Sequence, residues 1–230
     1  MQTVSGLYNS IVSDNNHWFE TSLLVGSERI PESKIFSLTT KHSVFENTME
    51  VGRAIAGEID VTMLATDVPT MGMMIPCVRA CNNTSTSEWI KQGVFFVDTR
   101  ETSQNGNGLD VLIIHGFDAM LKAEQPFRSD TITGDSTDVQ MVNAIAAIMG
   151  VEVDARTYER MTNAYTIPLP TGYTCREVLG YIASMYVGCF IMTEEGKLRL
   201  VSVLELPPET NYLIDENGNS LMFGDDVILI

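Results

Sequence analysis

Three histidines, four cysteines and a run of acids and amides near residue 215 are the residues of this 230-residue chain best suited to chemistry. His17, His42 and His115 could bind a metal or move protons near neutral pH. A metal-binding helix would space two of them as H-x-x-x-H, and neither that nor an H-x-x-E spacing occurs. His42 falls at a strand edge and His115 beside Phe117-Asp118, so local hydrogen bonding accounts for them. Cys77 and Cys81 have three residues between them, not the two of a zinc knuckle. With Cys175 and Cys189 they are too sparse for a disulfide framework. Apolar surroundings mark three of the four as small buried hydrophobes. Four free thiols, and a reducing place of synthesis, are the expectation.

Asp215-x-Asn217-x-Asn219 resembles the opening of a calcium loop, with Asp226 at its twelfth position. The sixth position is Ser220, where the bend of such a loop needs glycine, so a β-turn explains the run better. Asn105-Gly-Asn-Gly108 leads into a strand, not a helix, and cannot set a helix N-terminus against a phosphate. No phosphate loop, G-x-S-x-G elbow or Cys/His arrangement is present. A carboxylate pair for glycoside hydrolysis would have to be assembled by folding. The acids sit mostly at turns, strand edges and helix starts, where solvation or capping accounts for them. The expectation is a non-enzyme with no catalytic residue, no cofactor-binding residue and no metal site.

Any such groups would be carried by strands in the first half. Trp18 to Val25, Ile35 to Thr39, Gly72 to Ala80 and Gly93 to Thr99 are rich in β-forming residues, and Glu58 to Leu64 alternates polar with apolar. Gln104-Asn-Gly-Asn-Gly108 is a hairpin turn leading into Leu109 to Ile114. The period then changes. Asp118 to Glu124 reads as a short helix closed by Pro126. Thr137-x-x-Gln140 and Thr174-x-x-Glu177 are capping boxes, each followed by an apolar helical stripe. Gly150 and Gly188 are the expected stops. Phe190 to Thr193 and Lys197 to Val203 form a hairpin about Glu194-Glu-Gly196. Further strands are expected at Asn211 to Ile214, Ser220 to Phe223 and Asp226 to Ile230.

The fold class is thus α+β and mostly β: an N-terminal antiparallel β-barrel, then a small α/β domain with two capped helices and β-hairpins. The barrel takes residues 1–124 and the α/β insertion residues 125–203. Residues 204–230 supply strands of a second β-barrel or return to the first.

Acid outweighs base by 30 to 14, a formal net charge of -16. Such a surface repels phosphate backbones and anionic lipid, so no specific nucleic-acid binding and no membrane insertion are expected. The N-terminus has neither a basic nor an apolar signal region, and no apolar run approaches a spanning length. Thirteen methionines read as core filler before they read as an adaptable interface.

Glu88-Trp-Ile-Lys-Gln-Gly-Val-Phe-Phe-Val-Asp98, the Asn/Gly hairpin, and Leu109-Asp-Val-Leu-Ile-Ile-His-Gly-Phe-Asp-Ala-Met-Leu121 follow one another in the chain. With Tyr173-Thr-Cys-Arg-Glu-Val-Leu-Gly-Tyr-Ile-Ala183 and its Glu-Gly-Lys-Leu hairpin, they resemble prophage tail proteins of Gram-positive hosts, of the baseplate hub and tail-associated (tail tip) family. The resemblance covers about half the chain. It implies a structural virion-tail component assembled in the bacterial cytoplasm: a homotrimeric ring joining the tail tube to the spike or fibre. Its partners would be the tube, distal tail and spike or fibre proteins, and its role host attachment and DNA passage. An acidic lumen would let DNA pass without sticking. Two other readings stay open: a peptidoglycan hydrolase with scattered carboxylates, and a glycan- or receptor-binding module in which Trp18 and Trp89 act as stacking platforms.

Overall fold

The computed structural model describes residues 4–42, 50–65, 68, 72–104, 108–202, 222–223 and 226–227. Within them the chain runs α1 (Gly6–Val12), β1 (Trp18–Val25), β2 (Glu28–Pro31), β3 (Ile35–Lys41), β4 (Arg53–Ala54), β5 (Glu58–Leu64), β6 (Met73–Cys81), β7 (Ile90–Lys91), β8 (Phe95–Gln104) and β9 (Asp110–Asp118). It continues through β10 (Ser136–Thr137), α2 (Asp138–Met149), α3 (Ala155–Arg160), β11 (Thr166–Ile167), α4 (Cys175–Met185), β12 (Gly188–Met192) and β13 (Leu198–Ser202). A short ladder of β14 (Met222–Phe223) and β15 (Asp226–Val227) follows. The mostly-β α+β class is as the sequence predicts.

Alternation builds the main sheet. In β5, Ile59, Val61 and Met63 are buried while Glu58, Asp60, Thr62 and Leu64 stay partly exposed, so one face turns inward. Eight antiparallel strands pair in the order β2-β1-β6-β8-β9-β5-β3, with β7 beside β6. The two ends of that path, β2 and β3, are consecutive in the chain, joined by a 3-10 turn at Glu32–Lys34. The sheet must therefore roll until its ends meet. Ile30 of β2 and Ile35 and Leu38 of β3 accordingly pack into one core with Leu23, Met74, Phe95 and Leu112. Among the described residues no ladder joins β2 to β3, so the roll is not a barrel closed by hydrogen bonds.

A second core lies against the roll. Thr137 and Thr174 each form the full reciprocal capping box, with Gln140 and Glu177 respectively. The helices they start, α2 and α4, bury Met141, Ile145, Val178, Leu179 and Ile182. These pack on Phe190, Leu198 and Leu200 of the β12–β13 hairpin. Along β8, Phe95 and Val97 enter the sheet core while Phe96 packs on the helical core, so one strand's period of two serves both. β4, from the first half of the chain, joins β12 in parallel.

Several local readings change. The strand expected from Gly93 begins as β8 at Phe95, because Gly93 takes φ 143°, and β7 pairs with β6 ahead of it. The short helix expected at Asp118 to Glu124 is present and is of the 3-10 type (Ala119–Glu124), with Asp118 as its N-cap. Gly150 stops α2 in the left-handed conformation, as predicted. Gly188 does not stop α4; Val187 takes the positive φ of 49°, and Gly188 opens β12. There a Cβ would lie 2.4 Å from the Val201 carbonyl oxygen, which explains the glycine. The two short helices α1 and α3 carry no capping box and were not foreseen. Residues 105–107 of the predicted hairpin turn lie outside the described residues, though Gln104 pairs with Asp110 across it.

Candidate functional site

Each histidine has a hydrogen-bond partner, but only that of His17 is near it in the chain. His17 Nδ1 lies 2.6 Å from the Asp14 carbonyl oxygen, and His42 Nε2 lies 2.8 Å from that of Gln92. His115, on β9, meets Asp60 across the β5–β9 pair at 2.8 Å, which holds the Asp60 carboxyl below its ordinary range. The four cysteines are free and buried, Cys77 and Cys81 on β6, Cys175 on α4 and Cys189 on β12. Among the described residues no group of three or more His, Cys, Asp or Glu is placed to hold a metal. Asp215, Asn217, Asn219 and Ser220 of the calcium-like run lie outside the described residues.

Folding does gather a polar groove of about 570 Å³ on the outer face of the sheet, lined in part by Glu20, Arg29, Glu32, Arg79 and Trp89. The pairing of Glu20 with Arg79 across β1 and β6 builds it, and Arg29 projects from β2. Arg79 donates to Glu20 Oε2 through Nε at 2.9 Å and Nη2 at 2.6 Å. Arg29 Nη1 donates to Ser22 Oγ at 2.6 Å. Both guanidiniums also lie over the Trp89 ring, at 4.6 and 4.4 Å from its centroid for Arg29 and Arg79. Trp89 is thus committed to two cations of its own chain. Trp18 stands apart at the start of β1, 44% exposed.

Two carboxylates in one groove invite comparison with a hydrolase, but the chemistry points the other way. The bond from Arg79 holds the Glu20 carboxyl below its usual range. A general acid needs the opposite shift, into an environment that keeps its proton near neutrality. The arrangement is an ion-paired, stacked surface suited to holding a shape.

Three acids that sequence reading did not single out are buried with specific partners. Asp118, 3% exposed, accepts from Gly57 N at 2.6 Å and Met120 N at 2.9 Å. Burial pushes its carboxyl up to about 6 against the pull of those two bonds. It stands where β5, the end of β9 and the following 3-10 turn meet, between the two cores. Asp138 at the start of α2 accepts from Val139 N and from the Tyr186 hydroxyl after α4, tying the helices together. Burial, then that carboxylate, raises the Tyr186 phenol. Asp154 caps α3 and takes a two-pronged bond from Arg156, which holds its carboxyl down at about 2. The signal for Asp118 and Asp154 was an acid just before a helical turn, the N-cap position.

No helix among the described residues is long and apolar enough to cross a membrane. No protein-family model matches the chain, and no curated protein matches it in sequence. Solved structures do share its fold. The 43 kDa tail protein of prophage MuSo2 from Shewanella oneidensis superposes with a TM-score of 0.57 at 15% identity, over 86% of this chain and 59% of that one. The tail protein from Neisseria meningitidis MC58 does so with a TM-score of 0.51 at 12% identity, over 88% and 53%. The chain therefore spans between half and three fifths of the length of these two structures. At such identities the likeness is one of fold.

Proposed function

We propose that this protein is a structural, non-catalytic component of a phage or prophage tail, placed at the tail tip or baseplate hub. The observation that carries this reading is the shared fold with two tail proteins over most of the chain. The order of the Trp89 to Val97, Leu109 to Leu121 and Tyr173 to Ala183 segments adds to it through their resemblance to hub proteins of Gram-positive phages. In this reading residues 1–124 act as the barrel unit, residues 125–203 as an α/β insertion, and residues 204–230 add strands to this or a second barrel. The rolled sheet, whose ends are covalent neighbours, supports a barrel-like unit. Three copies form a ring joining the tube to the spike or fibre, in contact with tube and distal tail proteins and serving attachment and DNA passage. Its place is the virion tail, after assembly in the bacterial cytoplasm. A net charge of -16 suits a wall past which DNA moves without sticking.

Immunogold labelling of purified particles from the strain that encodes the chain tests this reading. Label at the distal end of the tail is expected. Label on the capsid, or particles from which the chain is missing, would reject it.

A further inference from the structure

The groove over Trp89 on the outer sheet face holds two guanidiniums, and only that of Arg79 grips a carboxylate. Arg79 takes Glu20 with Nε and Nη2, the planar fork that fits a carboxylate. Arg29 uses only Nη1, on the Oγ of Ser22, a residue 1% exposed. The Nε and Nη2 edge of Arg29 has no protein acceptor among the described residues. Stacking on Trp89 at 4.6 Å and the bond to Ser22 hold that open fork in place before any ligand arrives. The groove's volume of about 570 Å³ falls within the roughly 300–1,000 Å³ of small-ligand sites.

The rest of the lining says what kind of ligand brings a carboxylate to that fork. Thr21 and Ser33 supply hydroxyls, and Glu20 and Glu32 supply carboxylates with lone pairs to spare. Glu32 accepts from the Thr21 amide at 3.2 Å. These groups can exchange hydrogen bonds with ligand hydroxyls, but they repel a second negative charge. An acidic peptide or a phosphate dianion would meet Glu20, Glu32 and a chain of net charge -16. A sugar acid brings one carboxylate for Arg29 and a ring of hydroxyls for the other groups. It needs no aromatic platform here, since the Trp89 ring is already taken by the two arginines. We propose that this groove binds a carboxylate-bearing sugar, one acidic unit of a polysaccharide, with Arg29 holding the carboxylate. The proposal goes beyond tail assembly and does not depend on it.

Titration of the full chain with cellobiouronate, a disaccharide with a single carboxylate, tests it against uncharged cellobiose. In NMR spectra of labelled protein the Trp89 indole N–H should shift saturably with cellobiouronate, at a Kd on the order of 1 mM or tighter. Cellobiose should bind at least about tenfold more weakly, because it offers the fork no charge. Arg29→Gln should also lose at least about tenfold in affinity, and Arg29→Lys most of that, since an ammonium cannot form the fork. Dispersed amide signals in the same spectra show whether the variants are folded. Equal binding of the two sugars, wild-type affinity in folded Arg29→Gln, or no saturable shift would each overturn the proposal. Tighter binding of tetraglutamate or inorganic phosphate than of cellobiouronate would overturn the sugar as ligand. Immunogold labelling decides the tail reading separately, so either reading can fail without the other.

Discussion

A single carboxyl group sets part of the protein's response to pH. Asp118 keeps its proton up to about pH 6 when folded, against an ordinary value of 3.8. Between those values the folded chain binds a proton that the unfolded chain has released. The stability this supplies is complete below about pH 4 and is lost as pH rises through about 6. Urea unfolding at stepped pH should show wild type losing up to about 1.4 kcal/mol per pH unit from this group. Asp118→Asn should remove that slope between pH 4 and 6, and a variant with the wild-type slope would show that Asp118 is not its source. Tyr186→Phe makes a different point. It deletes the hydroxyl that donates to buried Asp138, leaving a carboxylate oxygen short of a partner, and should cost about 2 kcal/mol in the same measurement.

Helix ends and tight crossings govern the next level. Gly188→Ala would force a Cβ to 2.4 Å from the Val201 carbonyl, against rigid backbone. Gly150→Ala meets nothing within 4 Å and strains only a φ of 69°. Thermal melts should show Gly150→Ala costing about 1 kcal/mol and Gly188→Ala clearly more. The same contrast explains what the sequence could reveal. Thr137 with Gln140, and Thr174 with Glu177, announce their helices because both halves of a capping box are local. The alternation of Glu58 to Leu64 likewise writes out a strand with one buried face. Gly188 was misread because its constraint comes from Val201, across a hairpin. The Trp89 groove was also hidden: Arg29, Arg79 and Trp89 are brought together only by the pairing of β1 with β2 and β6. Asp138 escaped notice for a similar reason, since its partner Tyr186 lies 48 residues away.

Across the whole molecule, two cores share one strand. Leu23 sits in the sheet core and Leu179 in the helical core, both fully buried. Replacing each with alanine should cost about 3 kcal/mol. Because the residues belong to separate clusters, the double variant should cost the sum within about 0.5 kcal/mol. A large departure from that sum in denaturant titrations would mean that the clusters act as one. The corner at Glu32–Lys34 has a consequence of another kind. The rolled sheet is held shut there by peptide bonds, while every ladder ends on one side or the other. It works as a buckle on a belt: the girth of the roll can adjust at this point without giving up any interstrand hydrogen bond among the described residues. A single cut in those three residues would unfasten it and leave the strand pairing on either side intact.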